Sequence, residues 1–223
     1  MVPGGFSYQE KEIHKIESIS NMSLTLEEKF EKMKEIRDEL LQFNESPLYK
    51  YRLENKFFPV AGEGSHTAQI MFVGEAPGKN EAETGRPFCG RSGKVLDEML
   101  ESISLNRSDV YITNIVKDRP PENRDPTGEE IALYAPFLER QIEIIQPKVI
   151  ATLGRFSMSY IMTHFGLKKD LKAITSMHGK EFIAKTEHGP VVIMPLYHPA
   201  VALYNGTNKK TLMEDFQNLK KYV

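Results

Sequence analysis

The chain has 223 residues and a formal net charge of -2, and 40% of its residues are hydrophobic and 27% charged. This composition is typical of a globular protein and excludes a polybasic nucleic-acid binder, although it is compatible with a local basic groove. The single cysteine, Cys89, excludes a disulfide within the chain and a metal site built from several cysteines, and no apolar run approaches the roughly 20 residues of a membrane span.

The sequence divides into a polar N-terminal segment and one larger domain. Residues 1–24 have no strong hydrophobic period, so we expect an arm or a short accessory helix there, and residues 25–223 form the domain. The capping box Thr25–Glu28 begins a helix that ends near residues 44–47. The other expected elements are a strand at 68–73, a helix from about 92, a strand at 110–116, a helix at 127–146 behind a second capping box, a strand at 148–153, a helix at 156–165, strands at 181–185 and 191–196, and a helix from about 210.

This alternation of strands and helices predicts an α/β fold with parallel βαβ units and right-handed crossovers. In such folds, ligands bind beyond the carboxyl ends of the strands. The unusual polar segments of this chain follow strand ends: GEAPG follows the first strand, Asn114 and the loop KDRPPENRDP lie at the second, and His198 follows the last. We therefore expect one pocket at this edge of the sheet.

Four side chains near these strand ends have both a structural and a functional interpretation. Glu75 lies in a glycine-rich turn, which is most often only a tight connection. Phe88 is either a small core residue or a stacking platform for a planar ligand. Asn114 either ties down a loop or recognises a base through its amide, which carries a donor and an acceptor side by side. A lone histidine such as His198 is more often structural, but its position suits a donor to an oxygen that gains negative charge.

Three ordered motifs carry a specific resemblance: GEAPGKNEAETGRPFCGRSG, YITNIVKDRPPENRDP and LYHPA. In this order and spacing they resemble the uracil-DNA glycosylase superfamily, in particular its family-four branch, from about Pro47 to the C-terminal helix. The resemblance implies a three-layer α/β/α fold with a central four-stranded, mainly parallel sheet. It also implies a monomeric, cytoplasmic and nucleoid-associated enzyme that flips deoxyuridine out of single- or double-stranded DNA and hydrolyses its N-glycosidic bond.

The resemblance assigns the residues that would bind the base. Phe88 would stack on uracil, and Asn114 would recognise its N3–H and O4. Cytosine presents the opposite donor and acceptor pattern, so it would face two mismatched contacts with the same amide. Glu81 would exclude the methyl group of thymine, and Gly74 and Ala76 would lie beside the base.

The resemblance also assigns catalytic residues. His198 would donate to O2 of the leaving uracil, Glu75 would stabilise the sugar cation and orient water, and Asn123 would help to position that water. Because Ala76 stands where some relatives carry an aspartate, we expect leaving-group stabilisation to supply more of the rate. The residues expected to contact DNA are Lys117, Arg119 and Arg124 in the loop after the second strand, and Val201, Leu203 and Lys209 near the C-terminus.

The chain departs from the family at two places. Family-four enzymes usually hold an iron–sulfur cluster with four cysteines, and Phe43, Ser46, Asp118 and Tyr134 match those positions here. We therefore expect no cluster and no metal, with Phe43 packed against Tyr134 and Ser46 hydrogen-bonded to Asp118. The second departure lies after His198, where the arginine that the family usually carries is missing.

Two other functions remain open on the sequence. A non-catalytic module that binds damaged DNA would agree with the missing cysteines and the altered segment after His198. A glycosylase for another deaminated base, such as hypoxanthine, would use the same fold, although Asn114 favours uracil. The loop PPENRDP lacks the histidine with which one related branch traps the sugar, so we expect ordinary turnover.

Overall fold

The computed structural model describes residues 24–223, so the arm expected at residues 1–24 lies outside the described residues except for Leu24. The helices and strands in this range are α1 Leu26–Gln42, α2 Leu48–Glu54, β1 Glu63–Gly64, β2 Ile70–Gly74, α3 Lys79–Thr84, α4 Arg91–Ser102, β3 Tyr111–Asn114, α5 Gly128–Ile145, β4 Val149–Leu153, α6 Arg155–His164, α7 Ile174–Met177, β5 Phe182–Thr186, β6 Gly189–Leu196 and α8 Gly206–Gln217. Between residues 24 and 223, no helix is long and apolar enough to cross a membrane.

The described strands form one sheet in the order β1-β3-β2-β4-β6-β5. The four central strands are parallel, and β1 and β5 pair antiparallel with β3 and β6 at the two edges. The expected count of four strands is therefore wrong, because it covers only the parallel centre of a six-stranded sheet. β1 has only two residues, which is too short to produce an alternating pattern in the sequence.

Helices cover both faces of the sheet, as the α/β/α prediction requires. Along β2, Met71 and Val73 join the buried cluster that contains the apolar faces of α1, α5 and α6. Ile70 and Phe72 point to the opposite face and join the cluster built with α4 and α8. All five residues of β2 are buried, which is typical of a central parallel strand.

The helix ends follow capping chemistry. Thr25 and Thr127 form the two predicted capping boxes that begin α1 and α5. The last helix begins earlier than predicted, because Oδ1 of Asn205 accepts a hydrogen bond from the backbone N–H of Thr207 at 2.8 Å.

Candidate active site

A pocket of about 450 Å³ lies beyond the carboxyl ends of β2, β3 and β6, and we call it the strand-end pocket. Phe88, Asn114 and His198 all line it. The rings of Phe88 and His198 have centroids 5.8 Å apart and are tilted by 34° to each other. The structure thus brings together the three side chains that the sequence assigns to one planar ligand.

Gly74 allows the side chains of Phe88 and Asn114 to approach the end of β2 closely. It is the last residue of β2 and lies opposite Asn114 in the pairing with β3. A Cβ atom built on Gly74 would lie 2.8 Å from Cζ of Phe88 and closer still to Oδ1 of Asn114. Because carbon atoms in contact keep about 3.5–4.0 Å between them, any side chain here would displace the ring or the amide.

Asn114 ends β3 and is only 2% exposed. Its Oδ1 is buried and accepts no hydrogen bond from any group in the described part of the chain. A buried polar atom without a partner costs about 1–3 kcal/mol, so most such atoms in proteins are paired. The amide is therefore held ready for a donor that a ligand brings into the strand-end pocket.

His198 follows β6 and lines the same pocket. Its Nδ1 accepts a hydrogen bond from the backbone N–H of Ala200 at 3.2 Å, which leaves the ring proton on Nε2. Burial lowers the pKa of the imidazole, although the nearby carboxylate of Glu81 opposes this effect. His198 is therefore a neutral ring that offers an N–H donor.

Phe88 is held in an unusual backbone conformation. Its φ angle is +48°, in the left-handed region that residues with a side chain seldom enter, and the residue is only 6% exposed. Arg107 donates from Nη1 to the carbonyl oxygen of Phe88 at 3.0 Å and to Asp97 at 3.0 Å. A Cβ atom on Gly93 would collide with the same carbonyl group. The ring is thus positioned by contacts to its own backbone.

The two predicted carboxylates lie in different environments. Glu81, on α3, lines the strand-end pocket, and its Oε1 accepts hydrogen bonds from the backbone N–H groups of Cys89 at 2.9 Å and Gly90 at 2.8 Å. Glu75 is partly buried, and burial together with the negative charge of Asp125 raises its pKa to about 7, while Arg155 opposes this shift. Its neighbour Ala76, rather than Glu75 itself, reaches the pocket wall.

Comparison with known proteins shows the family of the chain. The family model described as the uracil DNA glycosylase superfamily matches residues 61–220. The chain belongs to this superfamily. It is similar to the type-4 uracil-DNA glycosylases of Sulfurisphaera tokodaii (44% identity, 85% of this chain and 84% of the relative), Saccharolobus solfataricus (44%, 83% and 84%) and Thermotoga maritima (41%, 76% and 85%).

In this member of the uracil DNA glycosylase superfamily, Asn123 is oriented by Arg119. Asn123 lines the strand-end pocket and has a φ angle of +56°. Its Oδ1 accepts a hydrogen bond from Nε of Arg119 at 2.7 Å, and the Arg119 guanidinium lies 5.4 Å from the centre of the Phe57 ring. Arg119, which we expected to contact phosphate, therefore positions Asn123 within the protein.

The other basic residues expected to contact DNA also have partners within the protein. Lys117 is fully buried, so the prediction that it contacts phosphate is wrong: its Nζ bonds to oxygen atoms in the interior. Arg124 donates to both carboxylate oxygens of Glu130 at 2.6 and 2.8 Å. Lys209 pairs with Glu98. Arg124 and Lys209 lie near the surface and must exchange these partners to bind a phosphate.

The segment after His198 forms a short 3-10 helix, Pro199–Leu203, at the mouth of the pocket. Leu203 lines the pocket, whereas Val201 does not. Tyr204 also lines it and is 79% exposed, more than any other large hydrophobic residue in the described range. The site predicted from the sequence lacks Tyr204, Asn80, Arg91 and Ser92. The last three lie within the first quoted motif, and Tyr204 lies four residues after LYHPA.

The four positions that the sequence resemblance matches to cluster cysteines come together in this structure: Phe43, Ser46, Asp118 and Tyr134. The rings of Phe43 and Tyr134 pack edge to face with centroids 5.4 Å apart, as expected. The expected bond between Ser46 and Asp118 is wrong: Asp118 accepts from the Tyr134 hydroxyl at 2.6 Å and pairs with Arg52 at 3.1 Å. Two aromatic rings, a hydroxyl and a paired carboxylate supply no thiolate, so these residues do not fit an iron–sulfur cluster.

Proposed function

We propose that the protein is a monofunctional uracil-DNA glycosylase that hydrolyses the N-glycosidic bond of deoxyuridine in DNA and leaves an abasic site. The observation that carries this proposal is the unpaired Oδ1 of Asn114, which shares the strand-end pocket with the Phe88 ring and the N–H donor of His198. Uracil has groups that match all three, and Glu81 would exclude thymine, which carries the same groups and an additional methyl group.

Base recognition follows from the amide of Asn114. The N3–H of uracil would donate to the free Oδ1, and the amide nitrogen would donate to O4. Cytosine would place an acceptor against Oδ1 and a donor against the amide nitrogen, and each unpaired buried group costs about 1–3 kcal/mol. Stacking on Phe88 adds about 1–3 kcal/mol and balances part of the cost of extruding the base from the helix.

Catalysis depends on the leaving group. As the bond between C1′ and N1 breaks, its electron pair stays on uracil and the sugar becomes cationic. His198 would stabilise the uracil anion by donating from Nε2 to O2, and its lowered pKa suits a neutral donor. Ionised Glu75 would stabilise the cation. Because Oδ1 of Asn123 accepts from Arg119, the amide nitrogen of Asn123 would orient the attacking water. As this water bonds to C1′, the proton that it loses would neutralise the uracil anion, which leaves as free uracil.

Contacts to DNA would surround the mouth of the pocket. Leu203 and the exposed Tyr204 would fill the space that the flipped base leaves, while Val201 supports the turn beneath them through its backbone N–H bond to the His198 carbonyl at 3.0 Å. Arg124 and Lys209 would turn from their carboxylate partners to phosphates. We propose that the enzyme acts as a cytoplasmic, nucleoid-associated monomer without an iron–sulfur cluster.

The test is an excision assay on oligonucleotides that carry one uracil in single- or double-stranded DNA. The purified protein should release free uracil and leave an alkali-labile site, and its iron content should be negligible. An Asn114→Ala, His198→Ala double variant should lose this activity. The matched control replaces the exposed residues Asn55 and His188 by alanine, and it should keep the activity.

Four outcomes would contradict the proposal. Equal rates for the wild type and the Asn114→Ala, His198→Ala variant would refute the assigned site. Binding of uracil-containing DNA without release of uracil would instead indicate a non-catalytic damage-binding module. Faster release of hypoxanthine than of uracil would indicate that the main substrate is another deaminated base. Stoichiometric iron in the purified protein would refute the absence of a cluster.

A further inference from the structure

Lys117 lies in the interior directly behind the residue that is proposed to recognise uracil. Its side chain is 0% exposed. Its Nζ donates to the backbone oxygen of Asn114 at 2.8 Å, to Oγ1 of Thr113 at 2.7 Å and to Oε1 of Gln141 at 2.7 Å. These partners come from the end of β3 and from α5, so the ammonium ties the carboxyl end of a central strand to a helix.

The three partners favour the charged form of Lys117. Oγ1 of Thr113 donates its own proton to the carbonyl oxygen of Ala61 at 2.8 Å, so it accepts from Lys117. The amide nitrogen of Gln141 donates to the same Ala61 oxygen, which leaves Oε1 as an acceptor. The three closest acceptors match the three N–H groups of an ammonium, and the carbonyl oxygen of Ala61 lies farther away at 3.4 Å. A neutral amine would leave at least one of the close acceptors without a donor. Burial alone lowers the pKa of Lys117, and these hydrogen bonds act against that effect.

No carboxylate neutralises this charge. Among residues 24–223, no Asp or Glu oxygen lies within 4.0 Å of Nζ of Lys117, and the adjacent Asp118 is paired with Arg52. Buried charges in proteins are normally paired, because an unpaired charge in the interior is strongly unfavourable. Because its hydrogen-bond acceptors are neutral, no opposite charge cancels the electric field of Lys117. In a dry environment that field acts over a longer distance than in water.

We propose that Lys117 acts as a positioning residue for Asn114 and as a fixed positive charge that favours the uracil anion as the glycosidic bond breaks. This inference rests on the proposed function. The charge adds to the donor of His198: His198 contacts the base, whereas Lys117 acts through the backbone of Asn114 and through its field. No proton is transferred to or from Lys117 in this role.

The test compares two leaving groups in the same oligonucleotide, uracil and 5-fluorouracil. The fluorine withdraws electrons and stabilises the anion, so 5-fluorouracil needs less help from the protein. Lys117→Met removes the charge with little change in length. We expect the single-turnover rate to fall about tenfold or more for uracil and clearly less for 5-fluorouracil. An equal loss on both bases, or no loss, would overturn the proposal.

A second variant keeps the inference testable if Lys117→Met does not fold. Gln141→Glu keeps an acceptor for Lys117 but places a negative charge against it. A purely structural hydrogen bond would survive this change, whereas the field would be cancelled, so we expect the same selective loss on uracil. A folded Gln141→Glu protein with wild-type rates on both bases would overturn the proposal.

The matched control is Lys29→Met. Lys29 is also buried, and its Nζ bonds to the carbonyl oxygen of Ile145 at 3.1 Å, but it does not line the strand-end pocket. Its removal should not change the ratio of the two rates, and a selective loss there would overturn the proposal. If the wild type released neither base, the proposed function itself would fail; an active wild type with non-selective variants would refute the role of Lys117 alone.

Discussion

A single methyl group at Gly74 should displace the side chains that are proposed to hold uracil. Gly74→Ala would place a Cβ atom 2.8 Å from Cζ and 2.9 Å from Cε2 of Phe88, and nearer still to Oδ1 of Asn114. To restore a carbon–carbon distance of about 3.5–4.0 Å, the ring must retreat by about 0.7–1.2 Å, or the amide must turn away. Either movement changes the gap in which uracil would lie.

The expected loss of activity in Gly74→Ala follows from this displacement. A misplacement of about 1 Å in a reacting complex reduces the rate by about a hundredfold, so we expect uracil release to fall by at least that factor. Overpacking of this kind costs about 1–3 kcal/mol of folding free energy, and the fold should survive it. The loss of activity should therefore greatly exceed the loss of stability.

The assay measures single-turnover uracil release beside denaturant unfolding. Gly128→Ala is the matched control, because a Cβ atom there meets nothing within 4 Å. That control should release uracil at the wild-type rate and unfold at the same or a slightly higher denaturant concentration. If Gly74→Ala released uracil as fast as the control, the slot between Phe88 and Asn114 would not be the base site.

Three further predictions concern other parts of the molecule. Asn114→Leu removes a buried acceptor without a partner, so it should abolish uracil release while the free energy of unfolding stays equal or rises; a large loss of stability would contradict this. The raised pKa of Glu75 predicts that kcat/KM increases with pH with a midpoint near 7 and that Glu75→Gln removes this increase; an unchanged profile would assign the midpoint to another group. Because Glu75 binds its proton more tightly in the folded state, its contribution to stability is present at low pH and lost as the pH rises towards 7. Arg52→Met should cost about 3–5 kcal/mol in denaturant unfolding by leaving Asp118 buried without its partner, and Arg52→Met with Asp118→Asn should cost less than Arg52→Met alone.

The sequence predicts the parallel strands and the capped helices because their signals are local. Thr127 and Glu130, for example, predict the start of a helix from four consecutive residues alone. β1 and α3 have no such local signal. β1 has only two residues, and α3 begins inside a glycine-rich motif. Their formation depends on contacts with distant residues.

The site residues also divide into those with a local signal in the sequence and those that depend on distant contacts. Asn114 could be predicted as a site residue because a polar residue in an apolar strand is unusual. Lys117 was misjudged because its acceptors include Gln141, which lies 24 positions away in the sequence. Glu75 and Ala76 are neighbours in one turn, and only the fold decides that Ala76 rather than Glu75 reaches the pocket wall.

The backbone of Phe88 has a consequence for how tightly DNA is held. A left-handed conformation is unfavourable by about 1–2 kcal/mol for a residue with a side chain, whereas glycine adopts it freely. Arg107 and Gly93 maintain this conformation through contacts that belong to the protein itself. The aromatic surface is therefore preorganised: a base that arrives finds the ring already ordered, and no binding energy is diverted to fixing it in place.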